Sequence, residues 1–149
     1  MARSVSCSEP GAGAPVYRVV LAGRGVVLSE RARLARSWSG RLKGLLGRRA
    51  LDPGEALWLV PCSSVHTIGM RFALDLVFLD DALHACRILE GVPPGRLRLG
   101  GRAARSVLEL AAGTLGGLGL RVGEPLAFTA ASDTRTSGSA RRPSMENHG

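Results

Sequence analysis

The sequence predicts an α+β domain: a mainly antiparallel β-sheet, able to curl into a small partly closed barrel, with one or two short helices. Three observations lead there. Short apolar, β-branched runs recur along the chain with turn-forming residues between them. One stretch, and more weakly a second, carries apolar residues at helical spacing. The regular strand–helix–strand alternation of a doubly wound sheet is missing.

Taken in order, Met1 to Pro15 is Ser, Gly, Ala and Pro, and reads as a disordered tail. Val16 to Leu21 (VYRVVL) predicts a strand. Gly23-Arg24-Gly25 predicts a turn, across which Val26 to Leu28 pairs back. Ser29 is a fair N-cap, and the ERARLARS that follows is weakly helical. From Ser37, Trp38, Leu42, Leu45 and Leu46 recur at helical spacing. Gly40, Gly44 and Gly47 weaken that helix by roughly 1 kcal/mol each relative to Ala. Asp52-Pro53-Gly54 is a turn. Strands are then expected at Ala56 to Val60, Val65 to Phe72, Leu74 to Leu79 and Leu83 to Leu89, with Asp80-Asp81 turning the chain. Val92 to Gly101 is a Pro- and Gly-rich loop, followed by a strand over Arg105 to Ala111. Gly113 to Leu120 has room for one loose helical turn, and Leu126 to Thr129 is the final strand. The segment from residue 130 to Gly149 is polar and reads as a second disordered tail, leaving one folded domain over residues 16–129.

Composition narrows the class. Hydrophobic residues make up 45% of the chain, enough for a core, but aromatics are only 4%, so Leu, Val and Ala must build it. The formal net charge of +8 raises nucleic acid as a partner. Lys43 is the only lysine, the arginines are scattered, and Arg48-Arg49 and Arg141-Arg142 are the only adjacent pairs. Joined to the Ala, Gly and Leu richness, this looks like codon usage in a GC-rich genome, so nucleic-acid binding is not favoured. Three cysteines without framework spacing, no apolar leader and no run long enough to span a bilayer place the expected location in the cytoplasm.

The stretch Pro61 to Asp80, PCSSVHTIGMRFALDLVFLD, sets a Cys, a His, a Met-Arg pair and an Asp in otherwise sheet-like sequence. It resembles the signature of the DUF192 family of small prokaryotic proteins of unknown function, PC-x-SVHT-x-x-MRFPIDVVFLD. Arg41 to Arg48 (RLKGLLGR) resembles that family's RxxGLMxR segment, and Val107 to Gly113 (VLELAAG) its VLELPAG segment. The resemblance implies a compact, sheet-rich fold and no assured reaction, cofactor or partner. Ala73 stands where the family usually has Pro, and Pro94-Gly95-Arg96 where it has Pro-Trp-Arg. Asp81-Ala82-Leu83 replaces the usual Asp-Gly, which implies a different turn and register after Leu79.

Three constellations of polar residues compete for a role. Cys62, His66 and Asp75 are the types of a nucleophile, a base and its orienting acid. If residues 65–72 and 74–79 form a hairpin, Asp75 sits near its bend and His66 at its far end, which disfavours a triad. Cys62, His66, His84 and Cys86 offer two sulfurs and two nitrogens, but not the spacing of a standard zinc module. Arg71, Asp75 and Glu109 each interrupt an apolar strand, where a charge is costly unless paired. With His66, Met70 and Arg48 they form the expected ligand-binding set: a binding or accessory module recognising a small anionic group or a partner segment. No cofactor is expected, and the oligomeric state is left open.

Overall fold

The computed structural model describes residues 13–36 and 45–131. All nine elements among them are strands: β1 (Val16–Leu21), β2 (Val26–Ala35), β3 (Glu55–Leu59), β4 (Ser64–His66), β5 (Leu74–Leu79), β6 (Ala85–Val92), β7 (Leu97–Leu99), β8 (Ser106–Ala111) and β9 (Leu126–Ala130). Seven form one sheet in the order β6-β5-β8-β3-β2-β1-β9, and β4 pairs with β7 in a separate ribbon. Every neighbouring pair is antiparallel except β2–β3.

The large sheet curls into a half-barrel whose outer strands meet at one end. There His84 bridges Pro125. The Ala85 amide donates to the Glu124 carbonyl at 2.9 Å, and the Leu126 amide to the Leu83 carbonyl at 3.0 Å. Side chains alternate along each strand, so the sheet separates two cores. The inner one holds Val19, Leu21, Ala32, Ala56, Val77, Leu108 and Leu110. Tyr17, Trp58 and Phe128 pack against it, with Trp58 and Phe128 stacked at 4.1 Å. The outer core holds Leu57, Leu59, Leu76, Phe78 and Val107, together with Leu45, Leu51, Val65 and Ala104 from the segments covering that face. All six residues of β5 are buried because both of its faces are covered.

Several expectations need correcting. The segment after Ser29 is strand, not helix: in Arg31-Ala32-Arg33-Leu34 the alternate residues Ala32 and Leu34 are buried and the arginines exposed, a period of two. Ser29 is no helix cap. Its hydroxyl donates to the Gly54 carbonyl at 2.8 Å, beside an irregularity in the β1–β2 pairing. Residues 113–118 form successive four-residue turns, the Gly116 amide donating to the Gly113 carbonyl and the Leu118 amide to the Leu115 carbonyl, rather than a helical turn. The helix expected after Ser37 falls largely on residues 37–44, outside the described residues, as do most of the two expected tails; the helical part of an α+β class rests on that segment alone.

The expected hairpin between residues 65–72 and 74–79 does not form. β4 is three residues long and pairs with β7, from the segment read as a loop, while β5 pairs with β6 and β8. The strand is stopped by a turn in which the Met70 amide bonds the Thr67 carbonyl and Gly69 takes φ +83°, a left-handed conformation that glycine adopts without strain. Thr67 fixes the ribbon: its hydroxyl donates to the Pro93 carbonyl at 2.7 Å and accepts from the Arg96 amide at 2.9 Å. After β5 the turn does depart from Asp-Gly. Asp80 Oδ1 accepts the amides of Ala82 and His84, Leu83 takes φ +62°, and the β5–β6 pairing shifts between Phe78 and Leu79.

Candidate functional site

The expected site residues distribute over three places. Asp75, fully buried, faces the inner side of the sheet with Val77 and Leu79. Its Oδ1 accepts the Gly91 amide at 2.8 Å and its Oδ2 the Leu115 amide at 3.0 Å. Glu109, also fully buried, pairs in register with Leu57 and Leu76, both in the outer core. Asp75 and Glu109 therefore lie on opposite faces of the sheet. Cys62, His66 and Met70 belong to the covering layer on Glu109's side; all three are half-buried, and Arg71 is exposed. The sheet thus lies between Asp75 and the Cys62–His66 pair.

Cys86 is half-buried and donates its thiol to the Phe78 carbonyl at 3.3 Å; burial pushes that thiol's pKa up. Such a thiol is a poor nucleophile at neutral pH. His84 is exposed in the β5–β6 turn, its backbone held by Asp80. Among the described residues no group of three His, Cys, Asp or Glu side chains is placed to hold a metal.

Arg48 is engaged by Glu55 through two hydrogen bonds of 2.6 and 2.8 Å. This fork ties the segment before β3 to the strand itself. Glu55 also accepts the Asp52 amide at 3.0 Å. The Arg48 guanidinium holds the Glu55 carboxyl far below its ordinary 4.5, at about 2.

What sequence reasoning missed is the face made by the β4–β7 ribbon. Leu97 pairs with His66 and Leu99 with Ser64. Leu97 is 62% exposed, Leu99 58% and Ile68, in the turn after β4, 63%. Leu46 reaches the same turn, lying 3.1 Å from where a Gly69 Cβ would stand. Arg71 and Arg96, both exposed, flank these residues, whereas Arg98, in register with buried Val65, alternates to the ribbon's other face; Arg87 of β6 donates to the Leu99 carbonyl. Neither residues 60–74 nor residues 92–108 contain an Asp or Glu; the readable signal was this run of arginines and leucines without an acid. At the ribbon's end lies an open cleft of about 590 Å³ lined by Pro61, Cys62, Ser63, Ser64, Gly101, Arg102, Ala104 and Arg105.

Residues 19–128 match the DUF192 family model, described as "Uncharacterized ACR". The chain belongs to the DUF192 family. No curated protein matches it. Two solved structures are similar to this DUF192 chain. One is a Sinorhizobium meliloti 1021 protein provisionally described as a transcription regulator: 25% identical, TM-score 0.65, covering 78% of this chain and 94% of that one. The other, from Novosphingobium aromaticivorans DSM 12444 and of unknown function, is 21% identical with TM-score 0.66, covering 80% of this chain and 96% of that one. The second likeness speaks to the fold alone.

The DUF192 run Pro61 to Asp80 thus spans three structural jobs: the cleft wall at Cys62, the docked ribbon at Val65 and Thr67, and the buried strand β5. Its upstream block ends at Arg48, whose pairing gives a pH signature. Because the folded pKa of Glu55 lies below its ordinary value, the stabilisation is complete above about pH 4.5 and is lost as pH falls towards 2. Glu55→Gln is expected to lower stability by about 2 kcal/mol at pH 7, after discounting for the solvent that reaches Arg48. The deficit should vanish by about pH 2 when unfolding of the two proteins is compared across pH; a deficit independent of pH would remove the ion pair as its cause.

Proposed function

We propose that this DUF192 protein is a cytoplasmic recognition module that docks an acidic, apolar segment of a partner protein on the β4–β7 face. One observation carries the reading: Ile68, Leu97 and Leu99 are each more than half exposed amid arginines, on a ribbon whose strands and flanking turns contain no acid. Exposed apolar groups clustered in this way mark interaction surfaces. The accompanying positive charge selects a negatively charged partner and rejects a basic one. Single-stranded nucleic acid is served less well, because aliphatic side chains offer bases no stacking platform. Of the residues singled out from sequence, His66, Met70 and Arg71 belong to this face, whereas Asp75, Glu109 and Arg48 serve the scaffold beneath it.

The test is fluorescence anisotropy with a labelled peptide alternating Leu and Asp. Its comparators are a peptide alternating Leu and Lys and a mixed-sequence single-stranded DNA. The acidic peptide should bind most tightly, and Leu97→Ser with Leu99→Ser should weaken it about tenfold or more. Both side chains are exposed, so the double variant should stay folded. Preference for the DNA or the basic peptide, or indifference to the double substitution, overturns the reading.

A further inference from the structure

We infer that the cleft between residues 61–64 and 101–105 is a binding site for a phosphate monoester group. This assignment stands apart from the docking face, since it rests on different side chains. The cleft is framed by backbone bonds on both sides: the Cys62 amide donates to the Arg105 carbonyl at 2.9 Å, and the Gly100 amide to the Ser63 carbonyl at 2.8 Å. Its walls are therefore held in place before any ligand arrives, which removes part of the ordering cost of binding.

Its donors suit an anion and nothing in it competes with one. Arg102 and Arg105 line the cleft beside the exposed residues Ser63 and Ser64, and no carboxylate does. Among the described residues neither arginine forms an ion pair. Arg105 is also pre-aimed: its Nη1 donates to the carbonyls of Arg102 and Ala104 at 2.8 and 3.0 Å, so the planar fork is fixed while its other N–H groups stay available. Cys62 contributes shape rather than chemistry, its thiol donating to the Ser64 carbonyl at 3.0 Å.

The number of donors decides between oxyanions. Two guanidinium groups and two hydroxyls outnumber what the two oxygens of a planar carboxylate can accept in one orientation, but suit the three terminal oxygens of a phosphate monoester. At about 590 Å³ the cleft also has room for the molecule that carries the phosphate.

The test is an NMR titration of the full-length, ¹⁵N-labelled protein with inorganic phosphate, with acetate and chloride at matched ionic strength as controls. Phosphate should shift the amides of Ser63, Ser64, Gly101 and Arg102 with a saturating midpoint of about 1–10 mM. Arg102→Glu, at an exposed position, should fold normally and raise that midpoint at least about tenfold. Glycerol phosphate and a phosphoserine tripeptide then separate the sources: tighter binding of the first points to a free metabolite, of the second to a protein-borne phosphate. Shifts that do not saturate, that acetate or chloride reproduces, or that persist unchanged in Arg102→Glu overturn the assignment. Loss of peptide docking in the Leu97 and Leu99 variant leaves it standing.

Discussion

Asp75→Ala is expected to cost about 3 kcal/mol of folding stability, measured as a lowered midpoint in urea unfolding. Asp75 sits on β5, the strand between the edge strand β6 and β8, with no solvent exposure, and each of its oxygens accepts a backbone amide from a different part of the chain. Gly91 belongs to the edge strand β6; Leu115 belongs to the turn-rich loop between β8 and β9, whose side chain enters the inner core at 3% exposure. One carboxylate therefore joins the edge strand and the loop that plugs the inner core to the buried strand β5. Alanine leaves both donors behind. The Leu115 amide is buried and bears the full cost of an unmade bond, about 1–3 kcal/mol, while Gly91 is exposed enough to recover part of its loss from water. Asp75→Asn retains one accepting oxygen and should lose about half as much. Amide exchange at Leu115 should accelerate in both variants by more than the global loss of stability explains. If Asp75→Ala stays within about 0.5 kcal/mol of the parent protein, the carboxylate does not hold the loop, and a functional role for it regains force.

That prediction depends on a distinction the sequence does not carry. Asp75 and Glu109 look alike as acids set in apolar strands, and both invite the same reading of a shared cluster. Which face each occupies depends on β5 pairing Asp75 with Leu110, and hence Leu76 with Glu109. Register across strands more than 30 residues apart follows from the whole packing rather than from local pattern. Local pattern was sufficient elsewhere: the β-branched run Val16–Leu21 and the apolar run Leu74–Leu79 are strands with the expected bounds. It failed where two signals competed. Arg31-Ala32-Arg33-Leu34 combines good helix formers with a period of two, and the sheet on both sides of β2 decides in favour of the period. It failed again at β7, three residues inside a Pro- and Gly-rich stretch, whose strand character exists only because Thr67 and β4 supply its partner. The face now assigned to docking is built from that failure: neither Leu97 nor Leu99 has a meaning until β7 is known to be paired and turned outward.

Gly100→Ala is expected to destabilise the protein by about 2–3 kcal/mol, although alanine is the smallest side chain that can be added. A Cβ at position 100 would stand 2.5 Å from the Cβ of Ala104 and 2.8 Å from Cγ of Phe78, with Phe78 Cδ1 nearer still. Real Cβ atoms do not come this close, so something must move. Phe78 has no solvent exposure and is held between β6 and β8, and Ala104 is 2% exposed. Neither is the free end of a flexible side chain, so relief requires the backbone of the ribbon to lift from the sheet. The cost should then depend on the Phe78 ring. In a double-mutant cycle, Phe78→Leu should recover at least about 1 kcal/mol of the Gly100→Ala penalty, whereas two independent defects would add. The same displacement links fold to function, because Gly100 directly follows Leu99 and its amide holds Ser63 in the cleft wall. Affinity for the acidic peptide and for phosphate should fall together in Gly100→Ala under conditions where the protein remains folded. Additivity with Phe78→Leu, or a stability within about 0.5 kcal/mol of the parent, would show that the ribbon is not seated through this contact.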